Sequence, residues 1–235
     1  WVGVILNVSI LFTFKLLESD YKQPLFLFTS KFLNFPSLRL SSSFLLPIGL
    51  AFYSLQAISY LIDIYNKQIL PSTNIIDFSL YMVYFPKLIA GPIERAKRFL
   101  PQLAQRRIVT NERLAHGFAL ILVGLIRKVV IADLLPKMMY ESLVWAGQNS
   151  AYKTPELVLW VIVYGFTIYN DFAGYTSIVS GVSALFGIEL SPNFQQPFFA
   201  RNFTEFWKRW HISFSFWLRD YIYFPLSRML VRQNQ

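Results

Sequence analysis

The 235-residue chain carries 22 Lys and Arg against 13 Asp and Glu, a formal net charge of +9, yet it is 54% apolar, 18% aromatic and only 15% charged, with a mean hydropathy of +0.41. Soluble domains average about 25% charge, so this composition points to a membrane, and basic residues set between apolar runs fit topology and lipid headgroups better than nucleic acid. With no cysteine there are no disulfides, thiolate metal sites or cysteine nucleophile, and two histidines, His116 and His211, are too few for zinc without carboxylates.

Residues 1–17 form an apolar run broken only by Lys15, whose stem can reach the interface. No charged leader or small-residue cleavage site precedes it, so it does not read as a signal peptide. The chain starts at Trp1 inside this run, and the expectation is a fragment lacking N-terminal spans. A mixed polar loop follows over 18–43. A second span covers 44–65, with Pro47 in its first turn and Asp63 and Tyr65 near its end. Residues 75–90 are apolar but short, and Pro86 interrupts them, which predicts a kinked, tilted or re-entrant segment. Loop 91–113 carries six basic residues, Arg95, Lys97, Arg98, Arg106, Arg107 and Arg113, against Glu94 and Glu112. The positive-inside rule places it in the cytoplasm. Residues 114–135 read as a further span holding Arg127 and Lys128, charges that must face protein, water or headgroups. Loop 136–155, counted with the adjoining Glu156, balances Lys137 and Lys153 with Glu141 and Glu156, which suits the outer side. Residues 156–190 are too long for one span and too short for two, which predicts a span followed by a helix broken near Gly174 or Gly181. Two crossings then return the chain to the cytoplasm near Arg201, Lys208 and Arg209, in agreement with the charge there.

The densest pattern is RNFTEFWKRWHISFSFWLRDYIYFPL, residues 201–226. Read as one interfacial helix at about 3.6 residues per turn, it puts Trp207, Trp210, Phe214, Trp217, Leu218 and Tyr221 on one stripe. His211 falls at the edge of that stripe, with Lys208 and Ser215 on its polar side. Two readings of His211 stand. It is an interfacial residue of an aromatic belt, or it is a general base in a cleft where an acyl group meets an alcohol, because a neutral imidazole takes a hydroxyl proton near pH 7. Trp207, Lys208, Arg209, Trp210, Ser215, Arg219 and Asp220 are the neighbouring candidates for lining such a cleft.

Asp171 lies in an apolar stretch and either caps a half-helix or works as an intramembrane carboxylate. The small residues Ala173, Gly174, Thr176 and Ser177 after it predict close packing of another helix. The run FPKLIAGPIER, residues 85–95, cannot be a regular helix. It is a plain turn, or a re-entrant loop in which Lys87, Glu94 and Arg95 line a polar cavity. His116 reads as interfacial, and Arg127 and Lys128 as partners of lipid phosphates or of an anionic donor. No phosphate-binding glycine loop, nucleophile elbow or nucleotide fingerprint is present.

Four blocks carry a resemblance: LPIGLAFYSLQAISYLID (46–63), YFPKLIAGPIERAKRFLPQL (84–103), YNDFAGYTSIVSGVSALFGIEL (169–190) and PNFQQPFFARNFTEFWKRWHISFSFWLRDYIYFPL (192–226). In residues, order and spacing they resemble the membrane-bound O-acyltransferase (MBOAT) family, in its bacterial alginate O-acetyltransferase branch. The resemblance implies an all-α, polytopic integral membrane fold with a funnel and kinked or re-entrant segments, one domain over 1–235, in the bacterial inner membrane. It implies transfer of an acyl group, expected to be acetyl, from a cytoplasmic thioester such as acetyl-coenzyme A. The acceptor would be hydroxyls of a cell-surface or exported polysaccharide, reached directly or through an extracytoplasmic partner protein. No bound cofactor, metal or nucleic acid is expected. The resemblance also makes His211 the first of two signature histidines. The second, in a Trp-His-Gly context, is not in this sequence, so truncation at both ends is expected. The Gly-Tyr-Ser-Asp run common in that branch reads Gly174-Tyr-Thr-Ser177 here, which loses a carboxylate and leaves the acceptor open. Other readings are D-alanyl transfer to a cell-wall polymer, a transporter or channel with Asp171, Arg127 and Lys128 on an ion path, and a non-catalytic scaffold.

Overall fold

The computed structural model describes residues 1–18, 49–138 and 154–233. The expected loop at 18–43 beyond its first residue, the start of the second span at Phe44 and Pro47, and most of loop 136–155 lie outside them. Every regular element among the described residues is helical.

Helix α1 (Val2–Glu18) packs along α2 (Leu50–Tyr65), where Gly3 lets Leu61 approach the α1 backbone. Gly49, at φ 76°, starts α2, and a Cβ there would collide with the Leu88 carbonyl oxygen. Only glycine therefore lets the 85–95 segment lie against the helix start. Helix α3 (Ile75–Val83) is capped by the Asn74 side chain, which accepts from the Ile76 N–H at 2.9 Å. It stops ahead of Pro86, and a 3-10 turn (Phe85–Lys87) leads through Gly91 to α4 (Ala96–Ala104). Tyr60, Tyr81, Tyr84 and Phe99 from these helices form a buried aromatic core with Val179, Ile188 and Leu190.

Helix α5 (Asn111–Leu125), capped by Thr110, runs on into a π-helical segment (Ile126–Leu134). It packs antiparallel against α6 (Thr154–Leu185) through reciprocal glycine pairs. A Cβ on Gly117 would meet the Gly181 carbonyl at 3.0 Å, and one on Gly124 would meet the Gly174 carbonyl at 2.7 Å. The expected small-residue contact near Gly174 is thus present. The expected break is not: α6 continues unbroken for 32 residues, about 48 Å. Gly174 and Gly181 instead serve as approach points for α5.

No helix among the described residues is long and apolar enough to cross a membrane. The physical reasons can be read from each element. Helices α1 and α2, at 17 and 16 residues, span about 24–26 Å against about 30 Å of hydrocarbon. The α5 helix carries Arg127, Lys128 and Asp133 in its π segment, and α6 carries Asn170 and Asp171 in mid-course.

The single helix expected over 201–226 is also not what folds. Helix α7 (Phe203–Arg209) ends, His211 adopts a left-handed conformation, and α8 (Ile212–Leu218) starts afresh. A second π segment (Arg219–Tyr223) then leads into α9 (Phe224–Gln233). The break divides the expected stripe between two sites. Trp210 joins Phe194, Phe198 and Phe206, while Trp217 is buried with Ile58 and Ile93 and donates its indole N–H to the Leu55 carbonyl at 3.0 Å. Trp207 is left exposed.

Candidate functional site

His211 sits at the α7–α8 break with φ 41° and ψ 54°, a region that residues with a side chain rarely occupy. The segment 193–195 holds it there. The Ile212 N–H donates to the Asn193 carbonyl and the Gln195 N–H to the Arg209 carbonyl, both at 2.9 Å. The His211 carbonyl opens α8 by accepting from the Ser215 N–H at 2.9 Å. Its ring meets Phe172 of α6 edge-on at 4.8 Å and Phe214 at 5.1 Å, and Nδ1 lies 3.0 Å from Asn193 Oδ1. Burial among these groups pushes the imidazole down to about 4, so it is neutral at pH 7.

Beside it, Ile212 and Ser213 border a cavity of about 410 Å³ that Arg95, Arg98, Lys208 and Arg219 line with one carboxylate, Asp220. Asp220 accepts from Arg95 at 2.6 Å and from Arg219 at 2.7 Å. Burial raises its carboxyl, but these two hydrogen bonds outweigh it and hold Asp220 below its ordinary value. Arg98 reaches Ser191 Oγ at 3.1 Å, and exposed Lys208 has no ion-pair partner among the described residues. Arg98 also pairs with Glu189 at 3.4 Å, so four cations face two carboxylates, and the surplus makes the cavity receptive to an anion. A second cavity of about 450 Å³ opens on the other side of Pro192, lined by Arg113, His116, Arg127, Thr176 and Asn193 among others.

Of the residues singled out from the sequence, Arg95, Lys208, Arg219 and Asp220 thus meet at one cavity next to His211. Lys87 and Glu94 line neither cavity. Lys87, 1% exposed, donates to Gln56 Oε1 and, at 2.8 Å, to the Tyr81 carbonyl, and lies over the Tyr81 and Phe99 rings. Glu94 accepts from the Ser191 N–H and, at 3.1 Å, from its hydroxyl. Burial pushes the Glu94 carboxyl up, which the two Ser191 bonds counter. Both side chains are turned into protein and tie the 85–95 loop to α3 and to Ser191. Arg209 pairs with Glu205 along α7 at 2.5 Å, and the Ser215 hydroxyl donates back to the Trp210 carbonyl at 3.1 Å. Trp210 stacks on Phe206 and meets Phe194 edge-on, away from the Phe172 and Phe214 rings that touch His211. Asp171 caps no half-helix, since α6 is continuous through it. It pairs with Lys128 of the α5 π segment, which also reaches Asp133 at 3.3 Å.

Residues 65–234 match the sequence profile of the membrane-bound O-acyltransferase family. The chain belongs to that family. Relatives of this MBOAT chain include the "Probable alginate O-acetylase AlgI" of Pseudomonas aeruginosa, 40% identical over 183 residues, covering 78% of this chain and 34% of the relative. A peptidoglycan O-acetyltransferase of Helicobacter pylori is 31% identical, covering 99% of this chain and 47% of the relative. A teichoic acid D-alanyltransferase of Streptococcus thermophilus is 32% identical, covering 85% and 48%. The chain spans about a third to a half of the length of these curated relatives.

Within this MBOAT chain, the residue that sequence reasoning missed is Asn193. It lies 18 residues before His211, in an extended stretch after Pro192. No helical or strand period links the two positions, so only the folded chain brings them together.

Proposed function

We propose that this chain is part of a polytopic, inner-membrane bacterial O-acyltransferase. The enzyme moves an acyl group, expected to be acetyl, from a cytoplasmic thioester to hydroxyls of a cell-surface or exported polysaccharide, directly or through an extracytoplasmic partner. Family membership, with relatives named for O-acetylation of alginate and of peptidoglycan, supports the reaction class. The apolar, low-charge composition and the family support the membrane location.

The observation that carries the reading is His211 itself, held by Asn193 in a left-handed conformation at the α7–α8 break beside a basic cavity. The ring takes the proton of the acceptor hydroxyl as its oxygen attacks the thioester carbonyl. A C–O bond forms, the C–S bond breaks, and the imidazolium returns the proton to the leaving sulfur. Arg95, Arg98, Lys208 and Arg219 supply the charge that would hold the anionic end of a donor such as acetyl-coenzyme A. D-alanyl transfer is the second reading, favoured by the match to teichoic acid D-alanyltransferases. It uses the same ester-forming step and differs in the acyl group.

The test is His211→Ala in the complete protein, with radiolabelled acetyl and D-alanyl donors supplied side by side. Removing a general base costs about 10² to 10⁴ in rate. Transfer of acetyl within about threefold of wild type, at equal membrane levels, would reduce His211 to a belt residue.

A further inference from the structure

We propose that Asn193 is a positioning residue whose carboxamide oxygen locks the His211 ring as the Nδ1–H tautomer, leaving Nε2 bare to take the acceptor's hydroxyl proton. The inference rests on the base role of His211 and adds to it the atom that acts and the residue that decides this.

A chain of hydrogen bonds, anchored by groups that can only donate, fixes the tautomer. The Ser213 backbone N–H points at the Asn193 side-chain atom placed as Oδ1, at 3.3 Å. A backbone N–H cannot accept, so that atom is the carboxamide oxygen and not the nitrogen. The Ser213 hydroxyl reinforces the assignment. It accepts from the Ile93 N–H at 3.0 Å, and its own proton goes to Asn193 Oδ1 at 2.9 Å. The third neighbour of the same oxygen is His211 Nδ1, at 3.0 Å. An oxygen carries no proton to give, so this contact is a hydrogen bond only if Nδ1 donates. In a neutral imidazole the other nitrogen is then unprotonated.

The remaining contacts keep the arrangement rigid. The Asn193 carbonyl accepts from the Ile212 N–H, so side chain and main chain of one residue grip both ends of the strained His211 position. Asn193 is 1% exposed, and its Nδ2 has no partner among the described residues. A carboxylate in its place therefore breaks no existing bond. The groups packed on the ring, Phe172 of α6 and Phe214 of α8, are apolar. The charged groups nearby are engaged elsewhere or turned to the cavity: Asp171 to Lys128, Arg209 to Glu205, Arg95 and Arg219 to Asp220, and Lys208 exposed. Burial alone accounts for the low affinity of His211 for a proton. A charge placed at position 193 would thus act on the ring with little competition.

Two measurements test this. The first needs no variant: solid-state ¹⁵N NMR of the complete, ¹⁵N-histidine-labelled protein in lipid bilayers at pH 7. The His211 signals are assigned by their loss in His211→Ala. A protonated Nδ1 and a bare Nε2 are expected, and a protonated Nε2 would overturn the proposal. The second compares kcat, KM and the pH profile of acyl transfer for Asn193→Ala and Asn193→Asp. Asn193→Ala is expected to lower kcat by at least about tenfold, below the full ~10²–10⁴ loss of the base, with KM within about twofold. In Asn193→Asp the new carboxylate accepts the same three hydrogen bonds and favours the imidazolium. The base must be neutral to act, so the acid limb is expected to move up by at least about one pH unit, with kcat recovering above it. Superposable wild-type and Asn193→Asp profiles would overturn the positioning role. Full transfer by His211→Ala would overturn the base assignment itself. A protonated Nε2 in an enzyme that His211→Ala inactivates would overturn the role of Asn193 alone.

Discussion

Replacing Gly124 with alanine tests the contact that brings α5 against α6, the helix whose Phe172 meets the His211 ring. The added Cβ would lie 2.7 Å from the Gly174 carbonyl oxygen and from Ile178 Cγ1, and 2.9 Å from the Ile178 nitrogen. Close C···O contacts settle at about 3.3–3.6 Å, so the two helices must part by roughly half an ångström or more. Two of the three obstructing atoms belong to backbone and cannot rotate away. Overpacking of this kind costs about 1–3 kcal/mol. Alanine in a helix interior returns about 1 kcal/mol over glycine, which would blur the result in Gly124→Ala alone. Gly165 supplies the control, because it lies in the same helix pair and a Cβ there meets nothing within 4 Å among the described residues. Gly165→Ala collects the propensity gain without the collision. The difference between the two variants therefore isolates the contact at about 1–3 kcal/mol. At about 2.1 cal/mol/K per residue, that is about 1–3 °C in melting temperature for a protein about two to three times this length. The assay is thermal unfolding of the complete protein in detergent at one scan rate, since such unfolding is governed by rate as well as equilibrium. Gly124→Ala melting at or above Gly165→Ala would refute the close glycine contact.

Asp171→Asn leaves Lys128 with Asp133 as its charged partner. The protein is expected to stay folded, losing less than about 1 kcal/mol for a pair that is half exposed, while acyl transfer falls; full transfer by a folded variant would show that the charge is dispensable. Because the chain has no native cysteine, single cysteines at 106 and 148 report topology with an impermeant thiol reagent. Labelling from opposite sides is expected from the basic loop at 91–113, and labelling of both from one side would overturn the proposed topology.

Composition marked the chain as apolar and low in charge, while the all-helical fold was implied by the resemblance and is what the described residues adopt. The four quoted blocks carried the family, and the small residues around Gly174 announced close helix packing, since that depends on side-chain size alone. The tertiary structure decided what local pattern could not. A helical stripe over 201–226 assumes one unbroken phase, and a single left-handed residue at His211 resets it, sending Trp210 and Trp217 to different clusters. Lys87 and Glu94 look like cavity-lining charges in a proline-rich loop. Their partners Gln56 and Ser191 are distant in sequence and draw both side chains into the interior. Asp171 was legible as a carboxylate needing a partner, but Lys128 became that partner only when α5 packed against α6. Asn193 stood in the sequence only as a member of the quoted block 192–226, with no period tying it to His211. Its hydrogen bonds to His211 and Ser213 span 18 and 20 residues, with a 3-10 turn and α7 in between. Periodicity reports which face of one element is apolar, whereas the orientation of a catalytic ring is set by donors and acceptors that only the folded chain brings within 3 Å of each other.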